Sequence, residues 1–212
     1  MRRLVLVWVG GSGVVCGLGP TTVVDSSAKG ARASLLPSHV DEWAVEVTRS
    51  TWDGVELACL TVSNDPDVDG LLSVAHPQHP RFRALNELAD PHGAMGVWPS
   101  AWAATAALGR GGLVDVGKPL RVLEIGAGAG LPSLYASVVL GASRVLATDV
   151  EAVPLAFLKA ARSAHDPEAP SDAFETGYLD VLDADYNSVD GYDVIVAADL
   201  LYNSDVAFAR GV

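Results

Sequence analysis

The feature that most constrains the fold is an apolar strand that runs directly into a glycine-rich turn and then into a helix. Residues 121–125 read RVLEI, a short apolar run typical of a buried strand, and residues 126–130 read GAGAG. Residues 131–140 have the apolar content of a helix, with Pro132 in the first turn, where proline is tolerated. This order of elements is typical of α/β sheets that bind nucleotide-like ligands.

The rest of this region repeats the alternation of strands and helices. We predict further strands at 144–148, 174–179 and 194–198, and helices at 100–108 and 153–164. Because parallel strands need crossover connections, the alternation predicts an α/β fold with a parallel sheet that helices cover on both faces.

Residues 34–95 are of a different kind. Two strand-like runs, 43–48 and 55–62, flank a polar break that ends in Asp53-Gly54, which predicts a β-hairpin. The loop that follows contains His76 and His79, but Pro77 stands between them, Pro80 follows, and no third ligand is close, so a metal site is not expected. We therefore predict an accessory hairpin and loop region.

Residues 1–33 begin MRRLVLVWV, and a basic start followed by a short apolar run is typical of a secretory signal. The run is shorter than the roughly 18 to 20 residues that a membrane-spanning helix needs, so we expect no stable membrane insertion. We interpret residues 1–33 as a targeting segment outside the fold, the alternative being an unused start. The first interpretation implies a secretory or organellar location, the second a cytoplasmic one.

Composition narrows the class of protein further. Half of the 212 residues are hydrophobic and 19% are charged, as in a globular protein and unlike a coiled coil. The net charge is −12, and because residues 1–40 carry +3, the remainder carries −15. Such a surface repels a phosphate backbone, which argues against nucleic acid as a direct partner. Cys16 and Cys59 are too few for a disulfide framework, and Cys59 is expected in the core.

The glycine turn and the next strand carry the chemistry. Asp149 follows the strand at 144–148, twenty-one residues after Gly128, where a carboxylate can accept hydrogen bonds from a ribose diol. A dinucleotide fingerprint would have its third glycine at position 131, but Leu131 stands there and glycine stands at 130. The turn therefore favours S-adenosylmethionine, which has no pyrophosphate, and disfavours the alternative of a nicotinamide-dependent oxidoreductase.

Four motifs occur in order between residues 94 and 205: WPSA at 98–101, LEIGAGAGLPS at 123–133, ATD at 147–149 and AADLLY at 197–202. Together they resemble the methyltransferase family 16 group of S-adenosylmethionine-dependent enzymes, which contains protein-lysine methyltransferases marked by a D-x-x-Y motif. The resemblance implies a Rossmann-like class I methyltransferase domain at 96–212, S-adenosylmethionine as cofactor, and a lysine of a protein substrate as acceptor. A small-molecule methyltransferase and a non-catalytic cofactor-binding fragment are the alternatives.

The resemblance also implies roles for single residues. Asp199 and Tyr202, as the D-x-x-Y pair, would shape the site that receives the substrate amine. Many relatives have L-D-W after the third strand, whereas this chain has Asp180 and Val181 there, so an aromatic contact is missing and Asp180 is expected to bond the adenine amino group. The implied cofactor-binding residues are Trp98 beside the cofactor, Glu124 at the end of the first strand, Gly126, Ala127 and Gly128 beneath the methionine and ribose, Asp149 at the ribose, Asp180 and Val181 at the adenine, and Ala198.

Methyltransferase sheets of this class have seven strands, whereas only four parallel strands are predicted before Val212. We therefore expect a sheet truncated after its fourth strand, which would lack its usual outer neighbour. We also expect the chain as it stands to be poorly stable and inactive, and robust protein methylation by residues 34–212 would contradict this.

Overall fold

The structure, a computed structural model, describes residues 3–4, 22–25, 45–62, 96–110, 119–167, 170, 172–181, 191–198 and 200. Its larger sheet is parallel and has five strands: β1 (Arg3–Leu4), β5 (Arg121–Ile125), β6 (Arg144–Asp149), β7 (Phe174–Tyr178) and β8 (Val194–Ala197). The spatial order of these strands is β1-β8-β5-β6-β7. The predicted α/β fold with a parallel sheet is confirmed.

Three α-helices lie in the described ranges: α1 (Pro99–Gly109), α2 (Leu131–Leu134) and α3 (Ala152–His165). The predicted helix at 131–140 differs in its second half, since α2 continues as a π-helical turn over Tyr135–Val139. The turn is wider because the Leu140 N–H donates to the Tyr135 carbonyl, five residues back. None of the helices described is long and apolar enough to span a bilayer.

The strand order contains a reversal of the kind that creates a binding crevice in open α/β sheets. From β5 the chain passes through α2 to β6 and through α3 to β7, moving in one direction across the sheet, and β8 then lies on the other side of β5. Ligands of open α/β sheets bind where the order reverses, outside the carboxyl ends of the strands. The crevice between the ends of β5 and β8 is therefore the expected ligand site.

Alternating residues of the strands face opposite sides of the sheet. Val122, Val145 and Val194 belong to the main core, which also contains buried residues of all three helices. Leu123 and Ile125 form a second cluster with Tyr192. The three described helices thus cover the first face of the sheet, and within the described ranges no helix contributes to the cluster on the second face, where helices were also predicted.

A second sheet is antiparallel and contains β2 (Thr22–Asp25), β3 (Val45–Trp52) and β4 (Val55–Val62) in that order. The predicted hairpin is confirmed, with Asp53 at φ 48° and Gly54 at φ 82°, as a two-residue type I′ turn requires. The prediction ended the first strand at residue 48, whereas β3 continues to Trp52. Its polar end alternates like a strand, since Ser50 is buried and Arg49 pairs with Glu56 at 2.7 Å.

Strand β4 packs against α3. The Ala58 N–H donates to Nε2 of His165 at 3.1 Å, which places the last turn of α3 beside the outer edge of β4. Cys59 is a buried residue of the main core, as predicted, and burial raises the pKa of its thiol to about 12. The hairpin is therefore joined to the helices that cover the parallel sheet.

We expected residues 1–33 to lie outside the fold and the outer edge of β8 to lack a neighbour. Instead, β1 pairs in parallel with Val194 and Ile195, and β2 pairs with β3. Strand β2 reads TVVD, and its β-branched residues favour an extended backbone. That residues 1–33 form a targeting segment stays a prediction.

Candidate functional site

The glycine turn joins β5 to α2 at the carboxyl edge of the sheet. Gly126 has φ 67° and Gly130 has φ 69°, a left-handed backbone that favours glycine. A methyl group on Gly126 would lie 3.1 Å from Cδ1 of Leu200, and one on Gly130 would lie 2.4 Å from Cδ2 of Leu158. The turn thus passes close to the loop after β8 on one side and to α3 on the other, so both positions need glycine.

Hydrogen bonds hold the turn against the end of β6. The Ala127 N–H donates to the Thr148 carbonyl at 2.9 Å, and the Gly128 N–H donates to Oδ2 of Asp149 at 2.8 Å. Within the turn, the Gly130 N–H donates to the Ala127 carbonyl at 2.8 Å. The backbone of the turn is therefore fixed before any ligand binds.

The Asp149 carboxylate is only 7% exposed and is held by backbone donors. Its Oδ1 accepts from the Glu151 N–H at 3.0 Å, and the Val150 N–H is a third donor besides Gly128. Burial raises the pKa of Asp149, and these three bonds oppose the rise. A carboxylate has about four acceptor positions, so one remains for a ligand hydroxyl. The ribose-binding role of Asp149 stays a prediction.

Glu124 lies beneath the turn and is 1% exposed. Its Oε2 accepts from the Ser133 N–H at 3.0 Å and also contacts the Ser133 hydroxyl. Burial raises the pKa of Glu124 to about 8, against the opposing effect of the Ser133 bonds, and the nearby Asp149 charge adds to the rise. Glu124 therefore ties the end of β5 to the first turn of α2, and its predicted contact with the cofactor is not tested by these bonds.

Sequence reasoning missed two residues that support the turn. Ser133 holds Glu124 from nine residues further along the chain, and the Thr148 hydroxyl donates to the Glu124 carbonyl at 2.8 Å. Both are buried. Neither bond has a local sequence signal, because each joins two different elements of the fold.

Trp98 lies immediately before α1, and Pro99 occupies the first turn of that helix. The Ala101 N–H donates to the Trp98 carbonyl at 3.0 Å. Trp98 is 47% exposed, which is unusual for so large an apolar side chain. Because α1 packs against α2, and α2 begins at the glycine turn, the exposed ring is carried by an element next to the turn.

The carboxyl ends of β7 and β8 carry the remaining predicted residues. Asp180 and Val181 follow β7 and are partly buried, and Val181 packs against the second apolar cluster. Ala198 follows β8 and packs, partly buried, against the main core. Asp199 and Tyr202 lie outside the described residues.

The structure therefore unites some of the predicted residues. A hydrogen bond connects the glycine turn with the Asp149 side chain at the end of β6. The Leu179 N–H donates to the Asp149 carbonyl at 3.2 Å, so Asp180, the next residue, lies near the end of β6 as well. Within the described ranges, no three side chains of histidine, cysteine, aspartate or glutamate form a group that could hold a metal ion. The arrangement offers a shaped backbone, a buried carboxylate held by backbone donors and an exposed indole.

Comparison with known proteins agrees with this geometry. The family model described as lysine methyltransferase matches residues 78–209, which is more than half of the chain and includes the glycine turn, Asp149 and the DLLY segment. No curated protein matches the chain. The parallel sheet and its reversal between β5 and β8 fit a Rossmann-like methyltransferase fold. The predicted family is confirmed: the chain belongs to the lysine methyltransferase family, methyltransferase family 16.

Proposed function

We propose that this methyltransferase uses S-adenosylmethionine and transfers the methyl group to a lysine side chain of a protein. The observation that carries the proposal is the 2.8 Å bond from the Gly128 N–H to Oδ2 of Asp149. It fixes an acidic side chain against a glycine turn at the point where the sheet order reverses. The family description supports lysine as the acceptor.

The residues at the turn suit an adenosyl cofactor. Gly126 and Gly128 present no side chain toward a ligand, and we assign to a ribose hydroxyl the one acceptor position that the three backbone donors leave on Asp149. Leu131 is fully buried at the position where dinucleotide enzymes need a third glycine. We therefore favour a cofactor without a pyrophosphate, held by the turn, by Asp149 and by the exposed ring of Trp98.

When bound, S-adenosylmethionine supplies a methyl group on a positively charged sulfur, which is already activated for transfer. The protein then has to align the acceptor with the S–CH3 bond and to exclude water. A lysine amine has a pKa of about 10.4 in water, so it must lose its proton before it can react. We assign Asp199 and Tyr202 to the orientation of the neutral amine, on the strength of the D-x-x-Y resemblance.

The charge of the protein supports a cationic cofactor and a basic substrate. The net charge is −12, and residues 41–212 carry −15. Such a field attracts a sulfonium and a lysine-rich segment and speeds their encounter with the protein. The effect should decrease with added salt.

Calorimetric titration tests the cofactor. We expect binding of S-adenosylmethionine and no binding of NAD. Asp149→Ala should weaken cofactor binding about 10- to 100-fold, because it removes a charged hydrogen-bond acceptor. Asp193→Ala is the matched control, since Asp193 pairs with Arg121 at the opposite edge of the sheet and should leave affinity unchanged. Failure of the wild type to bind S-adenosylmethionine would refute the proposed cofactor.

Incubation with methyl-labelled cofactor and a cell lysate tests the acceptor. Label on protein lysines is the result that the proposed function predicts, and it would contradict the expectation that the chain is inactive. Label found only on metabolites would contradict a protein substrate and favour a small-molecule methyltransferase. Cofactor binding without any transfer would favour a non-catalytic binding protein.

A further inference from the structure

The tip of the hairpin contacts both helices that flank the candidate cofactor site. Trp52, the last residue of β3, stacks on Trp102 of α1, with ring centroids 6.2 Å apart and an angle of 21° between the planes. The Trp52 ring also packs edge-to-face with the Tyr135 ring, with 5.5 Å between the ring centroids. The Tyr135 hydroxyl donates to Oδ2 of Asp53 at 2.9 Å. The hairpin thus contacts α1 near its start and also the helical segment that begins at the glycine turn.

The indole of Trp102 continues this chain of contacts toward the site. Its Nε1–H donates to the Val97 carbonyl at 3.2 Å, and Val97 directly precedes Trp98. Trp102 is partly buried and packs against the main core, so its ring cannot turn freely. One side chain therefore joins the hairpin to the peptide that carries the exposed indole.

The segment before α1 depends on such contacts. Trp98 has an extended backbone, at φ −65° and ψ 150°, and makes no side-chain cap to the helix. Pro99 has no N–H to donate. The bond from the Ala101 N–H to the Trp98 carbonyl and the bond from the Trp102 indole to the Val97 carbonyl hold adjacent peptide groups of this segment.

We propose that Trp102 is a positioning residue for the cofactor. Its indole N–H, oriented by the stack on Trp52, fixes Val97 and Trp98 so that the Trp98 ring lies against the bound cofactor. The inference rests on the proposed function in one respect, namely that Trp98 contacts S-adenosylmethionine. It gives the hairpin a part in shaping the cofactor site, beyond covering the helices.

Two variants separate positioning from simple packing. Trp102→Phe keeps an aromatic ring for the stack and removes the bond to Val97. Trp52→Phe is the matched control, because it also keeps an aromatic ring for the stack on Trp102 and removes the bond from Nε1 of Trp52 to Oγ of Ser50, at 3.0 Å, within the same aromatic cluster. Each variant loses one indole hydrogen bond, so similar losses of stability are expected.

The readouts are affinity for S-adenosylmethionine and amide hydrogen exchange. Trp102→Phe should raise the Kd about three- to tenfold, as expected for one lost hydrogen bond, and Trp52→Phe less than about twofold. In the free protein, amides between residues 97 and 101 should exchange faster in Trp102→Phe than in Trp52→Phe or the wild type.

The outcomes distinguish this inference from the proposed function. Unchanged exchange at residues 97–101 in Trp102→Phe overturns the positioning role, whatever the affinity. An equal loss of affinity in both variants also overturns it. If the wild type fails to bind S-adenosylmethionine, the proposed function is refuted, and the exchange comparison alone decides whether Trp102 fixes the segment.

Discussion

Replacing Gly130 with alanine tests how closely α2 and α3 approach each other beneath the glycine turn. The backbone of Gly130 has φ 69°, and a left-handed conformation costs a side-chain-bearing residue about 1–2 kcal/mol. The new methyl group would also lie 2.4 Å from Cδ2 and 2.5 Å from Cδ1 of Leu158. Leu158 is 1% exposed, so its side chain has no solvent-filled space to enter.

Overpacking of this kind costs about 1–3 kcal/mol, so Gly130→Ala should lower the free energy of unfolding by about 2–5 kcal/mol in total. That is a large part of the roughly 5–15 kcal/mol that stabilises a typical domain. Gly141→Ala is the matched control, because Gly141 has φ 61° but no atom within 4 Å of the added methyl group. In Gly141→Ala the free energy of unfolding should fall by only about 1–2 kcal/mol, the cost of the left-handed backbone.

Urea unfolding followed by circular dichroism measures both variants. If Gly130→Ala is no more destabilising than Gly141→Ala, the close approach of the two helices is refuted. A second comparison uses Leu158→Ala as background. There the methyl group at position 130 has space, so the extra cost of Gly130→Ala should disappear, as a double-mutant cycle would show.

Two further predictions concern the change of stability with pH, one for Glu124 and one for His165. Burial raises the pKa of Glu124 from 4.5 to about 8, so the folded state retains the proton and the stability from this group is lost as pH rises across that range. As the pH rises from 5 to 8, Glu124→Gln should therefore gain stability relative to the wild type. Urea unfolding at several pH values measures the difference in free energy of unfolding between the two proteins, and a difference that does not change with pH contradicts the prediction. His165 accepts from the Ala58 N–H only when neutral, and burial lowers its pKa below 6.5, so the wild type should lose stability as pH falls below 6.5. His165→Leu should lack that acid sensitivity, and an unchanged profile of thermal unfolding against pH would count against the bond.

Much of the parallel sheet could be predicted because its signals are local. The strand β5, the glycine turn and the start of α2 follow each other within about a dozen residues, and their apolar periods are clear. The π-helical turn could not be predicted in the same way. At its first residue, Tyr135 bonds to Asp53, which is 82 residues away in sequence. The widened turn thus begins at a residue with tertiary contacts that no local window contains.

The candidate site shows the same division. The spacing of Gly128 and Asp149 predicted that they would lie close together, and they share a hydrogen bond. The support that Ser133 gives to Glu124 has no such signal, since a serine after a proline in a first helical turn is unremarkable. The two-residue strand β1 is too short to show any periodicity, so its place beside β8 could not be predicted. The roles of Asp199 and Tyr202 stay predictions.

The bond between Ala58 and His165 also bears on the outer edge of the antiparallel sheet. Strand β4 is the last strand of its sheet and reads VELACLTV, eight residues of high β-propensity with one charge. An open edge on such a strand is a template for pairing with a second chain. The last turn of α3 lies against part of this edge, and Nε2 of His165 accepts a hydrogen bond from one of its outward N–H groups, that of Ala58. Undocking of the hairpin would therefore expose an edge that favours pairing with a second chain, together with the apolar face of the strand.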